Sequence, residues 1–260
     1  MAKVIAIANQ KGGVGKTTTC VNLSSCVAAL GKKVLVVDLD PQGNTTSGLG
    51  MEVDDKSIYE VIMGRMKLTD VMEETEFKNL SIAGSDVRLA NAELELVEVE
   101  KREYRLKTAV QSVQQDFDFI FIDCPPSLGL LTINALGAAD SVLIPIQCEY
   151  YALEGVASLM NTISRVKKTI NPHLEIEGVL LTMLDGRTNL GLQVVDEVKK
   201  HFKKQVYATV IPRSVRLGEA PSHGEPIHVY DKRSAGCVAY VNLAKEVLKR
   251  NNIKVKEFKL

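Results

Sequence analysis

The sequence predicts an α/β protein, a single doubly wound, mostly parallel sheet with helices on both faces, filling residues 1–260 as one domain. Three observations predict it. Short apolar runs alternate with helical patterns along the whole chain. Several runs are almost continuous Val, Ile and Leu, as strands buried on both faces are. A glycine-rich loop over residues 10–18 lies between the first such run and the first helical pattern.

The run Val4-Ile5-Ala6-Ile7-Ala8 places a first strand at 3–9. After the loop, Cys20, Leu23, Val27 and Leu30 recur at helical spacing and predict a helix over 17–30. Further strands are expected at 34–38, 80–83, 118–123, 141–147, 177–184 and 206–211. Further helical stretches are expected near 89–115, 129–138, 151–170, 189–203 and 235–250. Segment 51–80 is acidic and poorly patterned, and reads as short helices. Residues 93–107, dense in Glu, Lys and Arg, read as a solvated helix face, with a partner surface as the alternative. In sheets of this kind ligands bind beyond the carboxyl ends of the strands.

A hydrophobic fraction of 45% and a charged fraction of 25% fit an ordinary soluble protein. The chain starts straight into its first strand, so no signal peptide is expected, and no apolar run reaches membrane-span length. Five cysteines, odd in number and without a C-x-x-C pair, read as reduced thiols in a cytoplasmic protein. Net charge is zero but uneven. Residues 1–160 hold 14 basic and 22 acidic residues (−8), and residues 161–260 hold 18 and 10 (+8). This excludes a globally basic nucleic-acid binder and leaves room for a basic face on the C-terminal part.

Residues Gln10 to Thr18 read Gln-Lys-Gly-Gly-Val-Gly-Lys-Thr-Thr. Gly15, Lys16 and Thr17 fill the last places of G-x-x-x-x-G-K-[ST], with Gln10 where the first Gly belongs. Gly12, Gly13 and Gly15 free the backbone around Val14 to turn its N–H groups toward anionic oxygens. The following helix adds its positive end. In that pattern Lys16 reaches the β- and γ-phosphates, Thr17 holds Mg²⁺, and Thr18 contacts the α-phosphate of ATP. Lys11 is one lysine more than the loop needs.

Two further segments complete a phosphoryl-transfer pattern. Val34-Leu35-Val36-Val37-Asp38 runs into Leu39-Asp40-Pro41-Gln42-Gly43-Asn44, leaving two carboxylates on one side of a strand end. One of them can orient or deprotonate an attacking water. Phe119-Ile120-Phe121-Ile122-Asp123 is a hydrophobic strand ending in the aspartate that holds Mg²⁺ in the Walker B pattern. Ile211-Pro212-Arg213 ends a late strand where a nucleotide base would lie.

The doubled-lysine loop resembles the deviant Walker A loop of the ParA/MinD group of P-loop ATPases. That resemblance implies a nucleotide-dependent homodimer in which Lys11 acts on the partner's nucleotide. The D-x-D-P-Q-G-N segment resembles the group's first switch, which implies that Asp40 positions water and Asp38 lies near the metal. Cys124-Pro125-Pro126-Ser127 resembles its second switch, and Pro212 falls where the family packs against adenine. The resemblance narrows to the chromosomal ParA proteins called Soj through residues 183–190, 211–224 and 230–234. It implies that Arg187 and Arg216 bind double-stranded DNA without sequence preference, and that a ParB-type protein is the partner. The expected activity is ATP hydrolysis, slow alone and stimulated by that partner, in the service of chromosome or plasmid segregation. No membrane partner is expected. The alternatives are a MinD-type membrane-associated ATPase for division-site placement, a dethiobiotin-synthetase-like ligase, and an iron–sulfur reductase.

Overall fold

The computed structural model describes residues 1–150 and 153–254. Within them eight strands form one sheet: β1 Lys3–Ile7, β2 Val34–Asp38, β3 Met72–Glu74, β4 Leu80–Ala83, β5 Phe119–Asp123, β6 Ser141–Gln147, β7 Glu175–Leu184 and β8 Val206–Pro212. Their order is β3-β4-β2-β5-β1-β6-β7-β8, parallel throughout except for the edge strand β3.

Alternate side chains of each central strand enter opposite cores. Val4, Ala6, Leu35, Val37, Ile120 and Ile122 face one helical layer, which includes Leu106, Leu136, Leu159 and Val198. Ile5, Ile7, Val34, Val36, Phe119 and Phe121 face the other. That second layer is built on helix α1, Lys16–Ala29, and on the C-terminal helix Ala235–Arg250. Both helices bury most of their residues, and the Tyr240 hydroxyl meets the Thr19 hydroxyl at 3.2 Å between them. The core therefore fixes α1 to the sheet, and with it the loop that precedes α1.

Two expectations are corrected. Residues 89–115 do not form one helix, and 93–107 is not a solvated helix face. The segment breaks into short turns at Val87–Asn91, Ala92–Glu95 and Arg102–Tyr104 before the helix Arg105–Val113. Lys101 interrupts it with left-handed backbone at φ 55°. Leu89, Leu96 and Leu106 are each fully buried along these successive short pieces. Segment 51–80 does contain short helices, Ile58–Ile62 and Leu68–Val71, but also strand β3. Of the C-terminal tail, residues 255–260 lie outside the described residues.

Leu243 is fully buried between the C-terminal helix and the sheet. Leu243→Ala is expected to cost about 2–5 kcal/mol, read as a lower urea midpoint with an unchanged slope.

Candidate nucleotide site

The loop between β1 and α1 is held from three sides. Asn9 anchors its start: its amide donates to the Pro145 carbonyl at 2.7 Å, and its Oδ1 accepts from the Lys11 N–H at 3.0 Å. Thr182 on β7 donates to the Val14 carbonyl at 2.8 Å. Gly15 caps α1 with φ 89°, a left-handed conformation that strains any side chain. No side chain caps that helix end, so its first-turn N–H groups face outward as anion donors. Lys16 is 7% exposed, and its ammonium donates to the Lys11 carbonyl at 3.3 Å. Burial pulls that ammonium below its usual pKa, although Asp123 and Asp40 oppose the shift.

Below the loop sit the carboxylates. Parallel pairing of β2 with β5 puts Asp38 directly beside Asp123 at the carboxyl ends of both strands. Both are fully buried. Asp123 Oδ2 accepts from Thr17 at 2.8 Å and from Thr45 at 2.7 Å, while its Oδ1 has no partner. Asp38 accepts from the Thr46 hydroxyl at 2.7 Å, the Thr46 N–H at 2.9 Å and the Asp40 N–H at 3.2 Å. Desolvation, and then the neighbouring Asp38, push Asp123 up to about 7. Desolvation also raises Asp38, to about 6. Asp40, 8% exposed, turns its Oδ1 back to the Gln42 N–H at 3.0 Å.

A buried carboxylate oxygen without a donor, beside a second carboxylate, is the environment that a divalent cation relieves. Among the described residues no cluster of three His, Cys, Asp or Glu could hold a metal alone. The donor set fits a cation that takes one or two protein oxygens and completes its shell from water and phosphate, as Mg²⁺ does. Thr17 and Asp123 are placed for this. Asp38 is close, but both its oxygens already receive protein donors.

A cavity of about 210 Å³ adjoins the loop, lined by Gly15, Thr18, Met183, Pro212, Leu217 and Tyr240 among others. Pro212 is thus brought to the loop. Met183 lines it from left-handed backbone at φ 53°. Arg187 and Arg216 stay out of the site, on the segments that follow β7 and β8. Arg187 is 89% exposed and pairs with Asp185 at 2.7 Å, holding that carboxyl well below the usual range. Arg216 pairs with Glu219 at 2.8 Å and Asp231 at 3.5 Å.

The sequence matches the family described as an AAA domain over residues 2–176. The sporulation initiation inhibitor protein Soj of Bacillus subtilis is 60% identical over 249 residues, spanning 95% of this chain and 98% of its own. The chain belongs to the ParA/Soj family of P-loop ATPases. The chromosome partitioning protein ParA of Myxococcus xanthus is 50% identical over 256 residues, spanning 98% of this chain and 90% of its own. Among solved structures, a cobyrinic acid a,c-diamide synthase from Mycobacterium smegmatis with bound ADP and magnesium superposes with a TM-score of 0.85. It is 37% identical over the full length of both chains. ParA/Soj membership accounts for the loop and both aspartate segments. Sequence reasoning missed Thr45 and Thr46, which hold the two buried carboxylates, and Thr182, which holds the loop. The one available signal was the Thr-Thr pair directly after D-x-D-P-Q-G-N.

The raised carboxylates give the metal-free, nucleotide-free protein a defined pH response. In the unfolded chain an Asp titrates near 3.9. Between that value and about 7 the folded state binds more protons than the unfolded one. This stabilising contribution is full below pH 4 and is lost as pH rises through the folded values. Asp123→Asn is therefore expected to raise Tm at pH 7.5, with the gain shrinking toward pH 5. Thermal scans across pH check this, and an Asp123→Asn protein less stable than wild type at pH 7.5 would refute it.

Proposed function

We infer that this chain is an ATP-driven switch that binds DNA without sequence preference and segregates chromosomes or plasmids with a ParB-type partner. Family membership supports the ATPase part. One structural observation carries the link from nucleotide to DNA. Thr182 bonds the loop at Val14, and Arg187 lies five residues further along the same segment. Pro212 pairs with Leu184 across β7 and β8, so Arg216 leaves the neighbouring strand end. Both arginines thus leave the sheet at the edge that holds the nucleotide loop.

In this reading the site takes ATP and Mg²⁺. The loop N–H groups and Lys16 hold the phosphates, and the cavity at Pro212 takes the base. Thr17 and Asp123 would hold Mg²⁺, with Asp38 beside them, and when bound the cation neutralises charge on the phosphates. Asp40 orients the attacking water or accepts its proton. Lys11, with no carboxylate within 4 Å among the described residues, reaches the nucleotide of a second subunit and acts in catalysis there. Closing two subunits joins their Arg187 and Arg216 surfaces, so each weak phosphate contact is used twice. Hydrolysis is slow alone and accelerated by the ParB-type partner. The protein works in the cytoplasm, on the nucleoid when ATP-bound.

Binding to unspecific double-stranded DNA, with ATP, ADP or no nucleotide, tests this. ATP-dependent, salt-sensitive binding is expected, lost in Lys11→Ala and in Arg187→Ala/Arg216→Ala. DNA binding indifferent to nucleotide would break the coupling. ATP-dependent binding to liposomes without DNA binding would replace it with a MinD-type membrane switch. Asp40→Ala is expected to lower ATP turnover by about 10²-fold or more, while sedimentation still shows the ATP-dependent dimer.

A further inference from the structure

The arginines that follow β7 and β8 are already engaged within the chain. Arg187 meets Asp185 at 2.7 Å, and Arg213 meets Glu149 at 3.2 Å. Arg216 meets Glu219 at 2.8 Å and Asp231 at 3.5 Å. Three guanidinium groups thus face four carboxylates, and these paired groups bring no positive surplus to the edge. A phosphate that arrives there finds each arginine occupied.

The Arg187 pair takes up the part of the side chain that a phosphate needs. Its Nε donates to Asp185 Oδ1 at 2.8 Å and a terminal nitrogen donates to Oδ2 at 2.7 Å. This two-point fork is also how a guanidinium grips a phosphate, so carboxylate and phosphate compete for one geometry. The pair lies open to solvent, with the Arg187 side chain 89% exposed, so a phosphate can reach it.

Each carboxylate is also held by a donor other than the arginine side chain it pairs with. Asp185 Oδ1 accepts from the Arg187 N–H at 3.1 Å. Glu219 accepts from the Tyr230 hydroxyl at 3.2 Å, and Asp231 accepts from the Arg233 N–H at 3.1 Å. The carboxylates are therefore set by the local chain, and they remain in place when an arginine turns away. Exposed ion pairs are weak, so a duplex can displace them, but each exchange lowers the net gain per contact.

We propose that Asp185, Glu219 and Asp231 are built-in competitors for DNA phosphates, so that Arg187 and Arg216 exchange a carboxylate for a phosphate on binding. This rests on the reading of those two arginines as the DNA contacts. The carboxylates hold the affinity of a single subunit down. Lasting attachment then requires the arginines of two subunits at once, and separated subunits let go of DNA quickly.

Anisotropy of a short labelled duplex of unspecific sequence tests this, over a salt series, with ATP and Mg²⁺ and without nucleotide. Asp185→Asn and Glu219→Gln/Asp231→Asn remove charge while keeping an acceptor oxygen for the Arg187 N–H, the Tyr230 hydroxyl and the Arg233 N–H. Each variant is expected to bind about three- to tenfold more tightly at low salt. The gain shrinks as salt rises, because salt screens the exposed pairs. Without nucleotide the same variants are expected to bind DNA more than wild type does. Asp196→Asn/Glu197→Gln removes two exposed charges from the helix Asn189–Phe202 and is expected to change little. Binding that is unchanged or weaker in Asp185→Asn and in Glu219→Gln/Asp231→Asn would overturn the proposal, since the carboxylates would then aim the arginines rather than compete for them. An equal gain in Asp196→Asn/Glu197→Gln would overturn it too, reducing the effect to net charge. Wild-type binding that survives Arg187→Ala/Arg216→Ala would instead overturn the DNA reading of the arginines, and this inference with it.

Discussion

Two buried carboxylates whose adjacent charges are costly in the floor of the loop organise the nucleotide site. Parallel pairing of β2 and β5 in register forces Asp38 and Asp123 side by side at zero exposure. The protein offsets only part of that cost, with the hydroxyls of Thr17, Thr45 and Thr46 and the amides of Asp40 and Thr46. The remaining oxygen, Asp123 Oδ1, is left without a donor. A site with an unmet demand for positive charge is primed for a cation.

The same hydrogen bonds connect the site to the neighbouring segments. Thr45 and Thr46 lie on the short helix Asn44–Gly48, so whatever changes the charge on Asp38 or Asp123 changes the hold on that helix. Thr46 also accepts from the Ser85 N–H at 3.0 Å, tying the helix to the end of β4. On the far side, Thr182 ties the loop to β7 and so to the segments bearing Arg187 and Arg216. Hydroxyl anchors thus tie two segments to the site, one through the buried carboxylates and one through the loop.

The central strands were legible because runs such as Val34–Asp38 and Phe119–Asp123 are apolar without interruption, and only strands buried on both faces need that. β3 was not legible. Met72, Glu73 and Glu74 are half-buried or exposed at a sheet edge, and only pairing with β4 makes them a strand. The broken stretch before Arg105–Val113 was hidden for a related reason. Its charged residues gave a helical impression, while nothing local in the sequence marks the left-handed Lys101 that interrupts it. In the site, charged and glycine residues announced themselves by spacing. The threonines did not, because a hydroxyl becomes informative only when its acceptor across the sheet is known. Arg187 and Arg216 carry no local signal and were reached through family resemblance alone.

The most direct measurement is the proton count on binding. Calorimetry of Mg²⁺ with nucleotide, in buffers of different ionisation enthalpy near pH 6.5, reads how many protons leave the protein. With Asp123 pushed up to about 7, cation binding there must expel a proton. Net proton release in wild type, reduced in Asp123→Asn, is the expected result. Equal proton release in the two proteins would contradict it, since Asp123 would then hold no proton for the cation to expel.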